Sequence, residues 1–277
     1  MKKISKGASA MLIFLRLFFL FFALAPLAWL ALTSVKPIKE IITMPVIYVP
    51  SYLTLENYVK ALKETSFPIY FKNSMIISLS TAIITTVLSI LNGYSLTRFR
   101  FRGKNLTLIV FLVTQMVPIA VIIVPIFLIF SKLGLINKLG GLVLVYSVLN
   151  IPFCTLVIRG FFQRIPVSLE EAALIDGCGR IACIVRIVLP LMRPGIVSTA
   201  VFAFIGAWNE LFFNTIFISS EANKTIPSGI NMFIGKYNID WGMIAATGVL
   251  ALIPVCVLFA FIQRYLVSGL TSGAVKD

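Results

Sequence analysis

Arg164-Ile165-Pro166-Val167-Ser168-Leu169-Glu170-Glu171-Ala172-Ala173-Leu174-Ile175-Asp176-Gly177 is a polar island between two long apolar runs, and the rest of the chain is read outward from it. Pro166 lacks an N–H and stops any helix arriving from upstream. Ser168 followed by Glu171 has the spacing of a capping box, which predicts that a fresh helix starts there. Glu170 and Glu171 in its first turn suit the positive end of the helix dipole. Ala172 and Ala173 give a face with little bulk, against which another protein can approach closely. Gly177 can take the left-handed conformation that ends a helix. Beyond it, Arg180–Leu189 carries Ile181, Ile184, Val185 and Val188 at helical spacing and is expected to end at Pro190, before Pro194 and Gly195 open the next apolar run. Residues 163–195 therefore read as a short helical elbow, too charged and too short to span a membrane.

The flanking runs explain why the elbow stands out. Six apolar segments are long enough to cross a hydrocarbon core, which takes about 20 helical residues. They are Met11–Leu32, Ser74–Thr97, Leu106–Phe130, Leu139–Phe162, Ile196–Ser219 and Gly242–Gln263. Unbroken hydrophobicity at this length predicts α-helix, because barrel strands alternate over about ten residues. The composition agrees. Hydrophobic residues make up 59% of the 277, charged residues 12%, and the mean hydropathy is +1.01. A soluble domain carries roughly 25% charged residues to solvate its surface. An all-α membrane protein with six transmembrane helices is the fold class this implies.

Lysine and arginine outnumber the acids, for a net charge of +14. The basic residues sit in short clusters between the apolar runs, so membrane topology accounts for them better than nucleic-acid binding does. Lys2, Lys3, Lys6 and Arg16 mark the amino terminus, Arg98, Arg100, Arg102 and Lys104 the second connection, and Arg164, Arg180, Arg186 and Arg193 the elbow. Placing these inside puts both termini in the cytoplasm and every arginine on the inner side. The opposite loop Ser131–Lys138 has only Lys132 and Lys138. The first apolar run is longer than the roughly 7–15 residues of a signal-peptide core, so a retained helix is expected. The outer connection Thr33–Asn73 is long and proline-rich, and Thr54 in it is placed to cap a short surface helix. Residues 1–73 then form an N-terminal helix with an external loop, and residues 74–277 the core.

Histidine is absent, which removes the commonest general base and metal ligand. Cys154, Cys178, Cys183 and Cys256 form no C-x-x-C pair, so neither a disulfide framework nor a metal site is indicated. No G-x-x-x-x-G-K-[ST] loop occurs, so the chain is expected to hydrolyse no ATP and to hold no cofactor.

Glu171-Ala172-Ala173, Asp176-Gly177, Ile187-Val188-Leu189-Pro190 and Pro194 resemble the EAA signature of permease subunits in bacterial ATP-binding cassette importers. Trp208-Asn209-Glu210, Asn57-Tyr58, Asn73-Ser74, Ile165-Pro166 and the tail Gln263–Lys276 are similar to carbohydrate-uptake permeases, over nearly the whole chain. The shorter, six-span partner of the maltose-type pair (MalG-like) fits the pattern; Cys178 departs from it, standing where alanine is usual. The resemblance implies the type I importer transmembrane domain (MetI-like), with Glu170, Glu171, Ala172, Ala173, Asp176 and Gly177 docking into a separate ATPase. It also implies a second permease subunit (MalF-like), two ATPase subunits that bind ATP and Mg, an extracytoplasmic solute-binding protein, and a sugar or oligosaccharide as cargo.

Glu210 is the one acid inside an expected span, where a charge costs about 2.5–3.5 kcal/mol. Glu210, Trp208, Asn209 and Asn150 are therefore candidates for the translocation pathway or a subunit interface; pairing of Glu210 with a basic group and packing by Trp208 is the alternative. Asn92, Gln115 and Asn214 are further interior polar candidates, and Pro118, Pro125 and Pro152 are expected to kink spans three and four. An importer of another solute and a self-contained secondary transporter are competing functions; the latter predicts internal repeats, and none is evident.

Overall fold

The computed structural model describes residues 6–234 and 239–271, with side chains for 11–234 and 239–263. Lys2, Lys3 and the tail from residue 272 lie outside the described residues. All the long elements are helices: α1 (Lys6–Ser34), α2 (Glu56–Lys63), α3 (Phe67–Arg98), α4 (Lys104–Thr114), α5 (Ile119–Lys132), α6 (Leu139–Phe162), α7 (Val167–Ile175), α8 (Arg180–Leu191), α9 (Arg193–Trp208), α10 (Phe212–Phe217) and α11 (Trp241–Thr271). Four of them are long and apolar enough to cross a membrane, rising to six when each of two bent pairs counts as one span.

One of those bent pairs, and a break after Trp208, correct two expectations. Leu106–Phe130 is not one helix: α4 and α5 meet at 104° across Gln115–Pro118. Gln115 and Met116 close the end of α4 with tight amide bonds to Leu112 and Val113. Pro118 cannot donate and keeps the residue before it out of the helical region, so α5 must start anew. Pro125 and Pro152, by contrast, lie inside α5 and α6. Ile196–Ser219 is likewise interrupted. α9 stops at Trp208, Asn209–Leu211 form a break, and α10 follows. At its other end α9 turns from α8 by 77°.

The chain divides into two compact units. The first comprises the segment ending at Pro68 together with Ile230–Ile253. Here the end of α1 is tied to the outer connection: Asn57 Nδ2 donates to the carbonyls of Ser34 and Lys36, at 3.0 Å each. The Ser34 and Tyr58 hydroxyls are 2.7 Å apart. Lys36 is buried, its ammonium donating to the Ile47 carbonyl beneath the ring of Trp29. Thr54 does receive the Glu56 amide at 3.1 Å, although Leu55 occupies the cap position of α2. α1 leaves Phe14, Phe18, Phe21 and Phe22 exposed, as a lipid-facing helix does.

The second unit, Ile69–Gly229 with the segment from Pro254, holds two apolar clusters. In one, Ile77 of α3, Ile123 and Phe130 of α5, Leu142, Val145 and Tyr146 of α6, and Phe213 and Phe217 of α10 pack together. The other joins Ile158 and Phe162 of α6 to Ala173 of α7 and to Cys183, Val188 and Met192. Small residues let the helices approach. A methyl on Gly93 would lie 2.7 Å from Ile158, and one on Gly195 2.6 Å from the Phe161 ring.

Candidate functional site

The elbow forms, but its start differs from the expected capping box. α7 begins at Val167, with Pro166 in extended conformation at the cap position and no side-chain cap bond. Ser168 therefore lies inside the first turn, because the fixed backbone of Pro166 already sets the entry angle. The end follows expectation. Gly177 has φ +81°, its amide bonds Leu174 at 3.1 Å, and the Cys178 amide reaches back to Ala173 at 2.9 Å. This is a Schellman closure, and Cys178 and Ala173 also share the apolar cluster beneath it. α8 does not end at Pro190; it widens into a π turn over Ile184–Val188 and runs on to Leu191.

The six elbow residues singled out in the sequence divide between two faces. Ala173 is buried in the cluster. Glu170 is also buried, 7% exposed, and its carboxylate turns toward α3 rather than outward. It takes the Arg98 Nε at 2.5 Å and the Tyr94 hydroxyl at 2.9 Å. Arg98 Nη2 also donates to the Ile165 carbonyl at 3.0 Å, just ahead of α7. Glu171, Ala172, Asp176 and Gly177 are exposed, and Glu171 makes no ion pair among the described residues. Leu174, Ile175 and Ile181 stand exposed in the same elbow, Ile175 at 86%. An acid, a small residue and bare aliphatic side chains thus share one open face held from behind.

The second candidate group gathers at the break after α9. Trp208 is 3% exposed, stacked on Phe204 at 5.4 Å and edge-on to Phe71 at 5.8 Å, so within this chain its ring is a packing element. Glu210 pairs with no basic group among the described residues. Its carboxyl accepts the Tyr146 hydroxyl at 2.6 Å and the amides of Phe213 at 3.0 and 3.1 Å and of Asn214 at 3.3 Å. An acid inside a span is thereby satisfied by the open amides of α10 and by a phenol from α6. Asn150 bonds the Tyr146 carbonyl one turn back at 2.8 Å and sits against Gly206. Asn209 alone of the four is exposed.

Two features of the structure have no counterpart among the sequence expectations. Arg98 counted only as one charge in a basic cluster, yet Tyr94 precedes it by four residues and so shares its helix face, which was a usable signal. In the sequence Asn137 reads only as part of the loop Ser131–Lys138. It adopts φ +59°, accepts the Ser220 amide and hydroxyl at 3.0 and 2.8 Å, and its carbonyl takes Asn223 Nδ2 at 2.7 Å, pinning the segment after α10.

Comparison with known proteins places these features in context. The family described as "Binding-protein-dependent transport system inner membrane component" matches residues 85–272. The sulfoquinovosyl glycerol transport system permease protein SmoH of Agrobacterium fabrum is 35% identical over 253 residues, covering 91% of this chain and 89% of that one. The trehalose/maltose transport system permease protein MalG of Thermococcus litoralis is also 35% identical, covering 91% of each. A solved structure of a bacterial ABC transporter involved in the import of alginate superposes with a TM-score of 0.82. It covers 96% of this chain and 99% of that one at 19% identity, which speaks to the fold alone.

Proposed function

We propose that this chain, which belongs to the family of binding-protein-dependent transport system inner membrane components, is one permease subunit of an ATP-driven importer for sugars or oligosaccharides. The cargo class is supported by the relatives, whose names specify a sulfoquinovosyl glycerol and a trehalose/maltose system. The observation that carries the coupling role is the elbow: a short helix whose outer face bears Glu171, Ala172 and Ile175 while its inner face is fixed to α3 and α6. A motor that grips such a helix moves the spans behind it.

In this reading residues 1–73 supply an N-terminal transmembrane helix and an extracytoplasmic loop, and residues 74–277 the core that carries cargo. Both termini and the elbow face the cytoplasm, as the arginine distribution favours. A second, MalF-like permease subunit completes the pathway. Two ATPase subunits hold ATP and Mg and perform all hydrolysis, and a solute-binding protein delivers the sugar. Closure of the ATPases on ATP drives the Glu171 face and swings the pathway from inward-open to outward-open. Asp176 and Gly177 complete the docking surface with Glu171 and Ala172, while Ala173 and Glu170 hold it from within. At the α9 break, Asn209 faces the pathway or the partner subunit, and Trp208, Glu210 and Asn150 shape the backbone behind it.

Co-purification of the membrane complex with its ATPase tests this. The wild type should retain the ATPase and ATP-driven uptake. Glu171→Lys, which reverses charge on the docking face, should lower both more than tenfold. Gly177→Val should do likewise, because a β-branched residue is strained at φ +81° by roughly 1–2 kcal/mol. Unchanged association and uptake in both variants would make a self-contained transporter the better account.

A further inference from the structure

The side chains of Glu170 and Arg98 are 9% and 7% exposed. Charges this deep are retained only with full pairing, since each loses most of its hydration. Here the pairing is nearly complete. One carboxylate oxygen takes Arg98 Nε and the other the Tyr94 hydroxyl, while Nη2 of the same guanidinium binds the Ile165 carbonyl. The four groups come from two places only: the last two turns of α3, and the α7 start with the segment leading into it. An apolar cluster of Ile158, Phe162, Ala173, Cys183, Val188 and Met192 already buries the inner face of the elbow. That cluster resists separation, but aliphatic contacts are non-directional and let packed helices slide. A planar guanidinium forked between a carboxylate and a carbonyl does not, because both bonds fix its angle.

Resting on the importer reading above, we infer that Arg98 and Glu170 are a positioning pair that makes α3 move as one body with the elbow, transmitting the ATPase stroke to the second span. The pair itself stays out of the ATPase contact. The docking face is formed by the exposed residues beside it, and the Arg98–Glu170 pair sets how far their displacement is carried into the membrane. α3 is the natural recipient, since it contributes Ile77 to the cluster that also holds Tyr146, Phe213 and Phe217 around the α9 break.

The test is the ratio of sugar taken up to ATP hydrolysed, measured on the assembled complex for wild type, Glu170→Gln, Arg98→Gln, the double variant and Tyr94→Phe. Glu170→Gln and Arg98→Gln should each lower the ratio at least fivefold while the ATPase stays bound in wild-type proportion. The double variant should be no worse than either single one, because both remove the same link. Tyr94→Phe, which removes one hydrogen bond to the carboxylate but leaves the forked guanidinium in place, should change the ratio less than twofold. An unchanged ratio in both single variants would overturn the proposal, as would additive losses in the double one. Loss of bound ATPase would overturn it differently, making Glu170 part of the docking face. Absence of both single variants from the membrane would reduce the pair to a folding element and also sink it. A wild-type complex with neither ATPase nor uptake would instead defeat the importer reading on which the pair's role depends.

Discussion

Glu210→Ala is expected to destabilise the chain by roughly 2–4 kcal/mol and to abolish uptake. The figure combines the ~0.5–2 kcal/mol of a lost helix cap with the ~1–3 kcal/mol of a buried polar group left alone. The carboxyl accepts the Phe213 and Asn214 amides at the start of α10 together with the Tyr146 hydroxyl, and Tyr146 is only 1% exposed. Within a bilayer no water replaces those acceptors. Glu210→Gln keeps an acceptor oxygen and the side-chain length, so its loss should be under half as large. Tyr146→Phe removes the phenol and leaves the cap, and should cost about 1 kcal/mol. Combining Tyr146→Phe with Glu210→Ala should add little to Glu210→Ala alone, because the two changes delete a shared bond. Thermal unfolding of the purified complex reads all four. Equal stability of Glu210→Ala and wild type would mean that the acid faces the pathway and caps nothing.

Glu210 also illustrates what a sequence does and does not convey about such a chain. Long apolar runs locate the spans because the bilayer demands them, and the six runs correspond to α1, α3, the α4–α5 pair, α6, α9 with α10, and α11. Hydropathy is blind to backbone direction, however. The Gln115–Pro118 turn and the break after Trp208 both lie inside runs apolar enough to read as single helices, and only Pro118 hinted at the first. Trp208-Asn209-Glu210 stands out in the sequence for its side chains, whereas its structural consequence is the break that Glu210 then caps. In the elbow, Gly177 was legible because a left-handed residue is a local requirement. Ser168 does not cap α7, because Pro166 sets the same helix start by a different local rule. The inward turn of Glu170 was not legible at all. Neighbouring Glu170 and Glu171 carry identical chemistry, and only the position of Arg98, seventy-two residues earlier, separates an anchoring acid from an exposed one.

A second large effect turns on two adjacent glycines at the start of α6. A methyl added at Gly141 would lie 2.3 Å from the Leu135 carbonyl oxygen and 3.2 Å from its carbon. That carbonyl cannot withdraw freely. The Leu135 amide is bound to Phe130 at 2.9 Å, and two residues on, Asn137 is held by Phe217, Ser220 and Asn223. Relieving the overlap therefore means shifting a turn that joins α5, α6 and the segment after α10. Gly141→Ala should cost about 1–3 kcal/mol, the range for overpacking a well-filled site. Gly140 is next to it in the same helical turn, and a methyl there meets nothing within 4 Å. Its φ is not in the left-handed region, so Gly140→Ala should be neutral or stabilise by about 0.4–1 kcal/mol by restricting the unfolded chain. The expected result is a pair of one-methyl variants, one residue apart, whose melting temperatures move to opposite sides of wild type or leave Gly140→Ala unchanged. If both fall equally, helix propensity or lipid contact governs this region, and the close approach of Leu135 to α6 does not.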